Sequence, residues 1–292
     1  MPKIMNNIFI IVPTFNDSRS LNKLLFILDK KVNKRNAIFR VIIVNDCSSE
    51  KITLERKKFY NIKNIKILNL KKNVGSQKAI YIGLKYIKKY KYKSIISILD
   101  SDGEDNPYKL KKLIQLAAKE NKVIFVANRS KRLENIFLRI LNKIRLLITF
   151  ILTGKNINFG NFSAFSSENL KNVFSNTNLW LAYSGGILKN CKKVKLINIE
   201  KKKRYYGTSK VNLKFLIDHS IKIICVFRTE ILIRSIVVSS LIIFIVGNQD
   251  ISLKLIIFLF LLNIFINIYR QINILNFDSL KIIKNIIILK NK

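Results

Sequence analysis

Acidic residues, cysteine and histidine are all scarce in this sequence. Only 17 Asp and Glu stand against 54 Lys and Arg over 292 residues, a net charge of +37. The three cysteines, Cys47, Cys191 and Cys225, are far apart and odd in number, with no CxxC or Cys/His pairing. That argues against a disulfide framework and a zinc site, and it suits a reducing compartment. The sequence has no P-loop, no GxGxxG and no Ser-His-Asp pattern, and Gly185-Gly186 is too short to form a phosphate loop. The opening residues MPKIMNN lead into a strand-like run and not into a cleavable leader, so the catalytic part is expected to stay in the cytoplasm.

The excess of positive charge points to a polyanionic partner: nucleic acid, phospholipid or a phosphorylated substrate. Basic runs interleaved with aromatics are missing, as is any nucleic-acid fold motif, which sets nucleic acid aside. The lysines are spread through a chain crowded with Ile and Asn, so a compositional bias supplies part of the charge. The remainder suits an anionic membrane face.

The first 130 residues alternate short apolar runs with helical stretches. Strands are predicted at 8–12, 39–44, 65–70, 94–99 and 122–127, and helices at 18–31, 77–89 and 106–119. Continuous Ile/Val/Leu strands, each followed by a helix, predict an α/β fold with a mainly parallel sheet covered on both faces. Ligands bind such sheets at the carboxyl ends of the strands. Three strands here end in Asn16-Asp17, Asn45-Asp46 and Asp100-Ser101-Asp102, which are expected to share one cleft.

Further along, residues 231–246 and 251–268 are two apolar runs around the turn Gly247-Asn248-Gln249-Asp250. Each is close to the length that spans hydrocarbon, and the turn lacks Lys and Arg while both flanks are rich in them. A two-helix transmembrane hairpin follows, with its turn outside and both chain ends cytoplasmic. Residues 212–230 mix apolar and basic positions as an interfacial amphipathic helix does. The expected division is a catalytic domain at 1–211, the interfacial helix at 212–230, the hairpin at 231–269 and a basic cytoplasmic tail at 270–292. His219 and Trp180 are read as packing or interfacial residues.

Asp100-Ser101-Asp102 is the strongest local signal. Two carboxylates one residue apart at a strand end can hold a divalent metal, Mg2+ or Mn2+, against a diphosphate. Asp17 and Asp46 follow the first two strands. Each is either a receiver of base or ribose hydrogen bonds or a helix N-cap. Glu104 and Asp105 are the candidate bases if the acceptor is a hydroxyl, and Asp102 is placed at the reacting centre with them.

The segments Val12-Pro13-Thr14-Phe15-Asn16-Asp17, Val44-Asn45-Asp46-Cys47-Ser48, Asn73-Val74-Gly75-Ser76-Gln77-Lys78-Ala79 and Leu99-Asp100-Ser101-Asp102-Gly103-Glu104-Asp105-Asn106-Pro107 resemble, in order and spacing, those of family 2 glycosyltransferases. Arg129-Ser130-Lys131-Arg132, Phe159-Gly160-Asn161-Phe162-Ser163 and Arg204-Tyr205-Tyr206-Gly207-Thr208-Ser209-Lys210 extend the resemblance to about residue 235, towards enzymes that glycosylate dolichol and other polyprenyl phosphates. Glu104 stands where those relatives usually have Gln, and Asn106-Pro107 where they have two prolines.

The resemblance implies a GT-A fold, a UDP- or GDP-sugar donor, inversion, and a metal at Asp102 with Asp100. It implies donor contacts from Pro13, Phe15, Asp17, Asp46, Lys78, Asp100 and Asp102. Arg129, Arg132, Arg204, Ser209 and Lys210 are expected to meet an acceptor phosphate, most simply a polyprenyl phosphate. Two alternatives stay open: a hydroxyl of a lipid-linked saccharide in cell-envelope assembly as acceptor, and a catalytically silent membrane protein that binds nucleotide sugars. The oligomeric state is open, a homo-oligomer included.

Overall fold

The computed structural model describes residues 7–31, 37–54, 59–129, 136–175, 177–208, 213–246, 250–275 and 281–290. It divides into two units. One comprises residues 1–133, 158–210 and 278–292, and the other residues 134–157 and 211–277.

The first unit is built on one sheet. Strand β1 (Asn7–Thr14) leads into helix α1 (Ser18–Lys31), then β2 (Ile38–Asn45), β3 (Ile62–Leu70), α2 (Ser76–Ile87) and β4 (Ile95–Ile98). A single 3-10 turn at Pro107–Lys109 opens α3 (Leu110–Lys119), and β5 (Ile124–Arg129) follows. β1 pairs in parallel with β2 and β4, and β2 in parallel with β3. β1, β2 and β4 are largely buried because they are mostly apolar, as strands covered on both faces require, while β3 buries its Ile and Leu residues and leaves Lys63 exposed. Helix α1 buries Leu21, Leu24, Leu25 and Leu28, the helical stripe read from the sequence. Helix α2 approaches the sheet so closely that a Cβ on Gly83 would lie 2.8 Å from Ile11 Cγ2.

The sheet is wider than the sequence pattern indicated. Strand β6 (Phe159–Ser166) runs antiparallel between β4 and β5. Short helix α5 (Leu170–Val173) and α6 (Tyr183–Asn190) follow it, and β7 (Val194–Ile199) pairs in parallel with β5.

The second unit contains α4 (Ile136–Thr153), α7 (Leu213–Val226), α8 (Arg228–Val246) and α9 (Asp250–Leu275). Helices α8 and α9 are long and apolar enough to cross a membrane, with mean hydropathies of 2.2 and 2.4, and little of either is buried. Between them Asn263 donates to Ser235 Oγ at 2.9 Å, a buried polar contact joining the two helices. On α7, His219 stacks on Phe215.

After α9 the chain forms β8 (Ile283–Lys290), the last strand of the sheet order β7-β5-β6-β4-β1-β2-β3-β8. The expectation of a basic tail over 270–292 is therefore corrected. Helix α9 runs on to Leu275, and β8 pairs antiparallel with β3, placing Ile286 opposite Leu68. The physical reason is the open edge of β3, whose N–H and C=O groups need partners.

Candidate active site

The carboxyl ends of β1, β2 and β4 meet as the sheet topology requires. Asn16 adopts φ 47° and Cys47 φ 59°, left-handed conformations unusual outside glycine, one in each of the loops after β1 and β2. The two loops are tied together there. Asn16 N–H donates to Ser48 Oγ at 2.9 Å, and Ser49 N–H donates to Asn16 Oδ1 at 2.9 Å. Pro13 lies in the β1 register opposite Val44 and is buried, while Phe15 beside it is 39% exposed. Thr14, at the end of β1, has a buried hydroxyl with no hydrogen-bond partner among the described residues. An unsatisfied hydroxyl at a strand end is the kind of group a ligand completes.

Asp46 is buried, and its carboxylate is already engaged. Val74 N–H donates to Oδ1 at 2.7 Å and Gly75 N–H to Oδ2 at 2.8 Å. Burial pushes its pKa up, against the lowering effect of those two amides. It braces the loop that opens α2, and each oxygen keeps one further lone pair. Lys78, in the first turn of α2, places its ammonium 5.5 Å from the Trp180 ring centre.

The Asp100-Ser101-Asp102 turn is braced from within. Asp105, 4% exposed, accepts from Asp100 N–H at 3.0 Å. Glu104 N–H donates to Asp102 Oδ1 at 2.9 Å. Glu104 itself forms an ion pair with Lys201 at 2.7 Å. Burial, reinforced by the nearby Glu104 and Asp105 charges, pushes Asp102 up to about 6; the Glu104 amide and Arg204 pull the other way.

Arg204 dominates the centre. One guanidinium nitrogen reaches Asp102 Oδ2 at 3.1 Å and the other Asp17 Oδ2 at 2.9 Å, while Nε donates to the Tyr206 carbonyl. The sequence reading placed Arg204 with the acceptor; here it bridges the carboxylates of Asp17 and Asp102. Its segment lies along the acidic turn as a strap. Lys202 N–H donates to Glu104 O and Tyr205 N–H to Asp102 O, each at 2.9 Å. The Tyr205 ring covers Gly103, where a Cβ would lie 2.3 Å from it, and Gly103 has φ 83°. Arg19 and Lys23 of α1 face the Tyr206 ring at 4.0 and 5.1 Å, and Lys23 the Tyr205 ring at 4.9 Å.

Asn161 and Gln77 stand inside two of the motifs, though the pattern assigns them no role. Asn161 donates to Asp100 Oδ1 at 3.2 Å and accepts from Gln77 Nε2 at 3.2 Å. Gln77 Oε1 in turn accepts from Tyr183 N–H, the first residue of α6, at 2.7 Å. The one signal was Asn161, a polar residue in the mostly buried β6; Gln77, in the half-exposed first turn of α2, carried none. Arg129 ends β5, and its side chain, with Arg132, Ser209 and Lys210, lies outside the described residues.

Among the described residues, no group of three or more His, Cys, Asp or Glu converges as a metal cage. Asp102 with Asp100 still fits Mg2+ or Mn2+. These ions take hard carboxylate oxygens, and Mg2+ characteristically binds one or two of them, completing its shell with water and substrate phosphate. A cationic guanidinium already seated on Asp102 Oδ2 shows that the position attracts positive charge.

The model of glycosyl transferase family 2 matches residues 9–178, more than half of the chain. The chain belongs to glycosyl transferase family 2. Comparison with curated proteins gives no match. In fold the family 2 chain is similar to glucosyl-3-phosphoglycerate synthase from Mycobacterium tuberculosis, solved in complex with Mn2+ and UDP-glucose. Identity is 11%, the TM-score is 0.54, and 77% of this chain and 79% of that one are covered. A mycobacterial protein gives 12% identity and a TM-score of 0.54 over 78% of this chain and 76% of that one. TarS 1–349 from S. aureus gives 17% identity and a TM-score of 0.46 over 77% of this chain. The chain spans 65% of that TarS fragment and 40% of the longer TarS structure.

Proposed function

We propose that this family 2 chain transfers a glycosyl group from a UDP- or GDP-sugar to a membrane-associated acceptor, with polyprenyl phosphate as the favoured one. The observation that carries the reading is the braced Asp100-Ser101-Asp102 turn at the end of β4, with Asp102 and Asp17 converging on one guanidinium.

The reaction is a single in-line displacement. An acceptor oxygen forms a bond to the anomeric carbon as the bond from that carbon to the diphosphate breaks, the electron pair leaves on the diphosphate, and the configuration inverts. A divalent cation bound at Asp100 and Asp102 would neutralise the charge that develops on the leaving diphosphate. Asn161 and the Asp105 carboxylate fix the turn that presents those two residues. Phe15 offers an exposed aromatic face, and Thr14 a free hydroxyl, at the end where the base would lie.

The phosphate acceptor is favoured over a hydroxyl by the state of the two candidate bases. Glu104 is paired with Lys201, and Asp105 is buried on the Asp100 amide. A hydroxyl acceptor needs a base to take its proton. A phosphate oxygen is already ionised at neutral pH and does not.

Helices α8 and α9 are assigned as a membrane hairpin with the catalytic unit and both chain ends cytoplasmic. The exposed apolar side chains along both helices support this, and so does the connectivity, because after α9 the chain re-enters the catalytic sheet as β8. Two crossings return a chain to the side it left. Helix α7 would lie in the interface, and α4 suits the same place. It exposes Ile140, Ile144, Leu147, Ile148 and Ile151 and carries Arg139, Lys143 and Arg145 without an acid.

The test is a panel of UDP- and GDP-sugars incubated with membranes carrying the protein, a polyprenyl phosphate and Mn2+ or Mg2+. Release of nucleoside diphosphate together with label in the lipid phase is expected. Donors that bind but are never turned over with any lipid acceptor would refute the transferase reading.

A further inference from the structure

The Arg204 contacts raise a question of occupancy. Asp102 Oδ1 is committed to the Glu104 amide, and Oδ2 to the guanidinium. A divalent cation such as Mg2+ bonds carboxylate oxygen at about 2.0–2.1 Å, well inside hydrogen-bond length. It cannot share Oδ2 with a guanidinium 3.1 Å from the same oxygen without strong cation–cation repulsion. Each oxygen keeps a further lone pair, so the conflict is electrostatic: the repulsion favours the guanidinium leaving Oδ2 when the cation binds.

We propose that Arg204 is the resident counter-cation of the donor site: it holds Asp17 and Asp102 in place before donor arrives, and gives up Asp102 when the metal-bound diphosphate enters. This rests on the donor-site reading above. Geometry supports a side-chain swing and not an unfolding of the strap. The strap is fixed by its own backbone bonds, Tyr205 N–H to Asp102 O and Lys202 N–H to Glu104 O, which do not involve the guanidinium. Tyr205 and Tyr206 are further held under Lys23 and Arg19. The released fork has an obvious new partner, since a diphosphate presents paired oxygens that a guanidinium binds bidentately. Arginine suits the first role for the same reason: its planar fork spans two carboxylates at once, which the single ammonium of lysine does not.

A merely structural ion pair makes the opposite prediction for metal affinity, so the two are separable without measuring catalysis. The probe is Mn2+ alone, titrated into the full-length protein in detergent and read by the electron paramagnetic resonance of free Mn2+. Arg204→Ala removes the competing cation and leaves two half-buried carboxylates uncompensated. Its affinity for Mn2+ alone should rise about tenfold or more, as loss of a charge-assisted hydrogen bond to the same oxygen predicts. Arg204→Lys should fall between wild type and alanine. With UDP or GDP present, the gain in Mn2+ affinity that nucleotide confers should be smaller in Arg204→Ala, because the guanidinium is no longer there to meet the diphosphate. Should the alanine variant fail to fold, Arg204→Gln keeps the packed stem and carries the same comparison. If wild type binds nucleotide with Mn2+ but the variants bind Mn2+ alone no more tightly than wild type, the counter-cation role is wrong and the donor site stands. If wild type binds neither UDP nor GDP with Mn2+, both readings fall together.

Discussion

Replacing Asp102 by Asn separates the chemistry of the site from its architecture. The amide keeps one oxygen, which can still accept from Glu104 N–H, and loses the charge that faces Arg204. The effect on stability has two components that overlap in Arg204. The lost charge-assisted hydrogen bond to Arg204 costs about 1.5–3 kcal/mol. Against this, the native carboxylate is already disfavoured: burial lifts its pKa to about 6 from 3.8, so holding it ionised at neutral pH costs roughly 3 kcal/mol relative to the unfolded chain. The sign follows from proton uptake. Between those two values the folded state binds more protons than the unfolded one, so this group's contribution to stability falls as pH rises through the window. Asn carries no such cost, and because the raised pKa is already net of the Arg204 attraction, the exchange is neutral to mildly stabilising. The variant should therefore unfold within a few degrees of wild type. Transfer should fall by about a hundredfold or more, because a preorganised electrostatic contact to the leaving diphosphate is worth roughly 3 kcal/mol or more in the transition state. Thermal unfolding followed by circular dichroism gives the first quantity. Nucleoside diphosphate release at saturating metal and donor gives the second. Turnover within a few-fold of wild type would refute the assignment of Asp102. Collapse of the fold would refute this account of the stability.

Gly103→Ala places a Cβ against the Tyr205 ring at a positive φ; a destabilisation of about 1–3 kcal/mol with a marked drop in transfer is expected, and an unchanged melting temperature would mean the strap does not press on the turn. Asn161→Ala removes the donor to Asp100 and should weaken nucleotide binding in the presence of Mn2+ by roughly three- to tenfold, a net hydrogen bond's worth; calorimetry with UDP or GDP checks it, and unaltered affinity would remove Asn161 from the site. With the native cysteines replaced, a cysteine at Asn248 should react with an impermeant reagent from outside the cell and one at Lys290 should not; the reverse labelling pattern would overturn the hairpin topology.

How much of this was legible in the sequence depended on how each element satisfies its polar groups. Strands β1, β2 and β4 were readable because most of their residues on both faces are buried and the chain spells that out as runs of Ile and Val, while β3 alternates polar and apolar residues and was found from its Ile65–Leu70 half. Strand β6 was seen only as a motif. It buries Ser163 and Ser166 completely, and such residues read as a loop unless their partners are known; Ser163 Oγ finds the Tyr183 hydroxyl at 2.7 Å and the Asn161 carbonyl at 3.0 Å. Strand β7 buries only Ile199 and so carries no continuous apolar signal. The acids at the strand ends were found by position, but position does not say which way a carboxylate is spent. Asp46 and Asp105 turn inward to backbone amides, as does Asp29, which takes the N–H groups of Tyr60, Asn61 and Ile62. Asp17 and Asp102 instead meet Arg204, a residue 187 and 102 positions away. No spacing rule reaches that far.

Strand β8 was misread as a tail for the same reason of distance, and its true place connects the two units of the chain in one argument. Its neighbour β3 precedes it by more than two hundred residues: Asn69 donates to Asn285 across a separation of 216 positions. Lys284 and Asn285 make the local sequence look solvated, yet the run Ile286 to Leu289 pairs along β3 and removes an open sheet edge. That edge can be closed only after α7, α8 and α9 have been made, because β8 follows them in the chain. Closing so long a loop carries a large entropic cost if the intervening chain is loose. A hairpin whose two ends emerge on one side of a bilayer shortens the effective loop, since it delivers its exit close to its entry. The proposed membrane hairpin of α8 and α9 is compatible with the pairing of β8 with β3, because two crossings return a chain to the side it left.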